Sequence, residues 1–123
     1  MPNSFSIGRE GEARAVKHLK KLNFKILERN FSGPFGEIDI IAKENSSIVF
    51  VEVKCRNSAE FGRPEEFVNK KKQSKIVKTA LQYLKMKNLD DAETRFDVLT
   101  LDSSMNRFEL IRSAFDSPAV YKY

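Results

Sequence analysis

Apolar residues along this chain change period several times, and each change marks an element. From Ser6 to Leu22, Gly8, Ala15, Leu19 and Leu22, with Val16 beside them, recur at helical steps, while Arg9, Arg14, Lys17, Lys20 and Lys21 fill the opposite face. Asn23 is a natural stop, and Phe24 to Phe31 then alternates as a half-buried strand. The turn from Ser32 to Gly36 launches Glu37 to Ala42, an apolar run with two acids near its start; Lys43 to Ser47 turns the chain into Ile48 to Lys54, the strongest strand pattern present. Both runs are apolar on both faces, the mark of central strands covered on two sides, where a carboxylate is rarely a casual surface charge. Pro64 opens a second helical stretch reaching about Asn88, with Val68, Ile76, Val77, Ala80, Tyr83 and Leu84 on its inner stripe. Phe96 to Leu101 and Phe108 to Ile111 read as two more strands joined around Ser103 and Ser104, and the tail from Asp116 reads as loosely held. The order α-β-β-β-α-β-β predicts an α/β fold with a mixed central sheet flanked by helices. Its first three strands form an antiparallel meander, and a right-handed helical crossover leads to the fourth.

Composition narrows the chemistry. With 123 residues, 41% hydrophobic and 32% charged, residues 1–123 fit one globular domain with a core of its own and no membrane-length apolar run. The start, Met1 to Ser6, lacks the sections of a secretory signal, which predicts a cytoplasmic protein. A single cysteine, Cys55, and a single histidine, His18, exclude an internal disulfide and a cysteine-rich zinc site, and argue against Ser-His-Asp and Cys-His catalysis. Chemistry must run on carboxylates and lysines. The net charge of +5 favours a polyanionic partner.

Strand alternation places Glu37, Asp39 and Ile41 on one face and Phe50, Glu52 and Lys54 on one face of the neighbouring strand. If those faces coincide, Asp39 and Glu52 present two hard oxygen ligands to one cation, with Lys54 two residues further on. Mg²⁺, or Mn²⁺, suits such a place, because Mg²⁺ takes one or two protein carboxylates and completes its octahedron with water and substrate phosphate. Phosphodiester hydrolysis needs such a cation and positive charge near the developing anion. Glu12 falls on the inward stripe of the first helix, and Gln73 lies one turn before Ile76 and Val77 on the second, so both are further candidates for the site. Plainer readings stand beside these: Glu52 and Lys54 as a surface ion pair, Glu12 paired with Arg9 or Lys17, Gln73 exposed on its helix, and Asp97 bonding a neighbouring turn. Asp39 and Glu52 on two very apolar strands, followed by Lys54, are more specific together than apart.

Four segments, Gly8 to Ala13, Gly36 to Ala42, Phe50 to Lys54 and Arg95 to Val98, resemble the signatures of the YraN-like family of small bacterial proteins, with matching spacing over nearly the whole chain. That family is similar to the archaeal Holliday junction resolvases of the restriction-endonuclease-like superfamily, with its PD-(D/E)xK motif. The resemblance implies a restriction-endonuclease-like fold in which Asp39 matches the motif's aspartate, Glu52 its second acid, Lys54 its lysine and Glu12 the acid of the first helix, while the carbonyl of Val53 is a backbone metal ligand. Ile38 stands where the motif's name expects proline. The resolvase likeness also implies a homodimer, since two symmetric cuts need two sites related by a two-fold axis.

Lys70, Lys71, Lys72, Lys75 and Lys78 crowd the early turns of the second helix, and Arg56 and Arg63 lie in the connection before it; these are the expected phosphate contacts, with Phe61 or Phe67 beside the path. A solvated helix face is the plainer reading. The leading expectation is a Mg²⁺-dependent endonuclease acting on structured or branched DNA. The alternative is a non-catalytic nucleic-acid-binding or assembly module that keeps the nuclease fold.

Overall fold

The structure is a computed structural model that describes residues 4–56, 68–102 and 107–116, with backbone alone at 4–9 and 56. Along the chain run α1 (Ser4–Lys21), β1 (Lys25–Gly33), β2 (Gly36–Glu44), β3 (Ser47–Arg56), α2 (Lys70–Met86), β4 (Glu93–Asp102) and β5 (Arg107–Phe115). This is the expected order. The strands form one sheet in the order β1-β2-β3-β4-β5. The first three pair antiparallel, β3 and β4 are parallel across the α2 connection, and β5 returns antiparallel. Strands run past the apolar stretches that announced them, because ladder hydrogen bonds use the backbone whatever the side chain. No helix among the described residues is long and apolar enough to cross a membrane.

The helices cover opposite faces. On one, Ala15 and Leu19 of α1 bury against Phe24, Ile40, Ala42, Val49, Val51 and Leu99. On the other, Ile76, Val77, Ala80, Tyr83 and Leu84 of α2 bury against Ile38, Ile41, Ile48, Phe50, Phe96 and Val98. Central strands sandwiched in this way account for the two-sided apolar pattern of β2 and β3. Gly11 permits the tight seating of α1, since a Cβ there would come within 2.7 Å of Cys55 Sγ on β3. The helix stops as predicted: Asn23 takes a left-handed φ of 70°, and Phe24 N–H donates back to the Leu19 carbonyl at 3.0 Å. Leu22, expected on the inner stripe, is exposed beyond the last turn.

Two further expectations change. The second helix starts at Lys70, later than Pro64 implied, because Val68 and Asn69 are not helical and Asn69 is the N-cap, its side chain accepting Lys72 N–H at 2.9 Å. Pro64 lies outside the described residues. Alternation in β2 also slips: Ile38 packs in the α2-side core together with Ile41, whereas Ile40 and Ala42 pack under α1. Glu37, Asp39 and Ile41 therefore do not line one regular face, and the irregularity falls at Asp39.

Asp97, read as bonding a turn, instead pins a bulge. The β4–β5 register shifts between Phe96 and Val98, Ser113 adopts a φ of 53°, and its N–H donates to Asp97 Oδ1 at 3.0 Å. Arg95 grips the same buried carboxylate with two hydrogen bonds of 2.9 Å and reaches Glu44 at 2.7 Å, where Arg112 joins at 2.8 Å. The guanidinium of Arg112, then that of Arg95, hold Glu44 below the usual carboxylate range against the opposing effect of burial. A carboxylate depressed on folding adds stability above its unfolded pKa and loses it as pH falls through the folded one. Glu44→Gln should therefore cost under about 1 kcal/mol near neutrality, and the gap from wild type should close in acid when melting temperature is followed against pH.

Candidate active site

The last β2–β3 pair toward the start of β2 is Ile40 with Val51. Beyond it the strands part: β2 continues to Gly36 on β1 alone, and β3 continues to Arg56 on β4 alone. Asp39 and Glu52 are the first residues past the fork. Freed from the β2–β3 ladder, Val53 N–H donates to Asp39 Oδ2 at 2.8 Å, and the Asp39 carboxyl lies near enough to Glu52 to feel its charge. Burial, then the hydrogen bond and charge of Glu52, push Asp39 up to about 8 against the downward pull of Val53 N–H, and Glu12 adds a smaller push from α1.

Of the other predicted residues, Lys54, Glu12 and Val53 act on this pair. Lys54 is half-buried, and burial, then the neighbouring Lys72, lower its pKa, with Glu52 and Asp39 opposing. Glu12 points inward, its carboxylate accepting Asn30 Nδ2 at 2.7 Å and lying 3.5 Å from Arg29 Nε. Gln73 turns its amide onto the Val68 carbonyl at 2.8 Å, tying the residue before the cap to the helix. Val53 reaches the site through its N–H.

Lys72, one of the lysines expected to contact phosphate, instead directs its ammonium to Glu52. Burial disfavours its charge, yet the hydrogen bond and charge of Glu52, with lesser help from Lys54 and Asp39, raise its pKa. Helical spacing carried that signal, since Lys72 lies one turn before the buried Ile76. Lys70, Lys71 and Lys75 are exposed around the same turn, and Lys78 Nζ lies 5.6 Å from the Phe35 ring centre. Arg56 is described by backbone alone; Phe61, Arg63 and Phe67 lie outside the described residues.

Sequence reasoning missed Arg29 and Asn30. Asn30 sits opposite Asp39, between the pairs Arg29–Ile40 and Phe31–Ile38, with a left-handed φ of 53° that asparagine tolerates. An asparagine inside a strand pattern was the available clue, because strands disfavour it.

Among the described residues no three His, Cys, Asp or Glu side chains form a ready-made metal cage. The donor chemistry nevertheless fits a hard divalent cation: two adjoining carboxyls, one buried strongly enough to hold a proton at neutral pH, are relieved by a cation, and Mg²⁺ asks for no more than two such ligands. Glu52 already draws an ammonium.

Residues 11–101 match the model described as "Uncharacterised protein family UPF0102". The UPF0102 protein of Persephonella marina is 45% identical over 109 residues, covering 89% of this chain and 92% of that one. The UPF0102 protein of Desulfosudis oleivorans is 46% identical over 110 residues, covering 89% of each chain. That of Geotalea daltonii is 47% identical over 114 residues, covering 90% of each. With the YraN-like motifs read from the sequence, a family model spanning most of the chain and full-length relatives near half identity, this protein belongs to the UPF0102 family.

Proposed function

We propose that this protein is a metal-dependent endonuclease that hydrolyses phosphodiester bonds in structured or branched DNA. The observation that carries the reading is the fork at Ile40 and Val51, past which Asp39 and Glu52 come first on their strands, within electrostatic reach of each other and of Lys54. Bound there, Mg²⁺ or Mn²⁺ would supply Lewis acidity toward a phosphoryl oxygen. Asp39 and Glu52 would hold it, with Asp39 steadied by Val53 N–H. Lys54 sets an ammonium next to both acids, where charge develops on an attacked phosphate. Glu12, fixed by Asn30, keeps a further carboxylate on the α1 side. The exposed Lys70, Lys71 and Lys75 offer sequence-independent attraction for a phosphate backbone at the start of α2. A homodimer would bring two such sites to a branched substrate.

Labelled junction, flap, single-stranded and RNA substrates with Mg²⁺ or Mn²⁺ test this directly. Lys54→Ala should lose cleavage by roughly 10²-fold or more while keeping its metal affinity in calorimetry. A wild-type protein that binds nucleic acid and metal but cuts none of the panel would instead be a binding or assembly module on the nuclease fold.

A further inference from the structure

Lys72 makes a contact that a metal-holding carboxylate would have to give up. Its ammonium lies on Glu52 Oε2, with the Glu52 side chain 5% exposed and that of Lys72 43% exposed. One partner is locked in the sheet, and the other has a path to solvent. The backbone of Lys72 is held by the cap, its N–H donating to Asn69 Oδ1 at 2.9 Å, so movement belongs to the flexible four-carbon stem. Glu52 and Asp39 attract the ammonium, and a second cation arriving at the acids would repel it outward. Lys70, Lys71 and Lys75 are exposed around the same helical turn, so a phosphate attracted to them arrives within reach of Lys72.

Resting on the metal-site reading above, we infer that Lys72 is an internal counter-cation that competes with the divalent ion for Glu52 and is drawn off by phosphate, so that metal and nucleic acid load the site cooperatively. Both ligands favour the arrangement with Lys72 swung away from Glu52. Linkage then requires each to raise the affinity of the other by the same factor. Lys72 is thus a positioning residue, and its removal has opposite effects on the two ligands.

Calorimetric titration of Mn²⁺ alone into wild type, Lys72→Gln, Lys72→Arg and Asp39→Asn separates the possibilities. Lys72→Gln should bind Mn²⁺ roughly tenfold more tightly than wild type, as expected when a close charge competitor is deleted. Lys72→Arg restores a competing cation and should stay within about threefold of wild type. Adding a phosphorothioate DNA duplex should tighten Mn²⁺ binding roughly tenfold in wild type and far less in Lys72→Gln. Unchanged or weaker Mn²⁺ binding by Lys72→Gln overturns the inference, as does a duplex that acts equally on both proteins or on neither. A merely structural lysine would give the weaker binding. If Lys72→Gln does not fold, Lys72→Met carries the same expectation. Retained Mn²⁺ binding by Asp39→Asn overturns the site itself, whereas its loss there with an unmoved Lys72→Gln overturns only the role of Lys72.

Discussion

Asparagine at position 39 should make the metal-free protein more stable at pH 8 and leave it unresponsive to Mg²⁺. The Asp39 carboxyl is moved from 3.8 to about 8, first by burial and then by Glu52. A carboxyl whose folded pKa is raised keeps its full stabilising effect below the unfolded value and loses it as pH climbs toward the folded one. Between pH 3.8 and about 8 the unfolded chain binds fewer protons at this position than the folded one, so wild-type stability declines across that interval. Asp39→Asn removes the titration, and its amide still offers an oxygen to Val53 N–H and an N–H to Glu52. The gain at pH 8 should be on the order of 1–3 kcal/mol, a stabilisation that costs function. Wild type should recover the difference when Mg²⁺ is added, because a ligand that binds only the folded state raises its stability. Thermal melts at pH 5 and pH 8 with and without Mg²⁺ measure both effects. A mutant that melts below wild type at pH 8, or gains as much from Mg²⁺, contradicts this account of the fork.

The second large effect lies one strand over from the fork, where Asp97 pairs with Val51. Arg95→Ala should lower stability by about 3–5 kcal/mol, the range for breaking a buried ion pair from one side. Asp97 has no exposed side-chain surface, and among the described residues Arg95 gives it two hydrogen bonds and Ser113 N–H another. Without that guanidinium a carboxylate is stranded in the core and the β5 bulge at Ser113 is held by one N–H. Arg95→Lys should recover only part of the loss, since an ammonium does not reproduce the planar two-point grip. Urea unfolding midpoints provide the measurement, and a loss below about 1 kcal/mol would show that the network is solvated rather than structural. The Glu44–Arg112 pair, whose guanidinium is exposed, should matter less.

Much of this molecule was legible in one dimension. Ile38 to Ala42 and Ile48 to Val53 announced two central strands, the Ile76 to Leu84 stripe announced the face of α2, and Asn23 marked the end of α1, because burial period and capping are local properties of a chain. Asp39, Glu52 and Lys54 were identifiable as charged groups that such strands would not carry without a partner. Where the pairs separate was not legible. That Ile40 and Val51 are the last partners before the fork, that alternation slips at Asp39, and that Asn30 turns left-handed opposite it are outcomes of register across three strands. Nor could composition distinguish Lys72, bound to Glu52, from Lys70 and Lys71 beside it, or place Asp97 under Arg95 and a bulge on β5. The sequence by itself determined the elements, their buried faces and the type of chemistry available. Tertiary structure decided which charges meet, because that depends on where ladders end and which helical turn lies over them, and those are set by packing between distant segments.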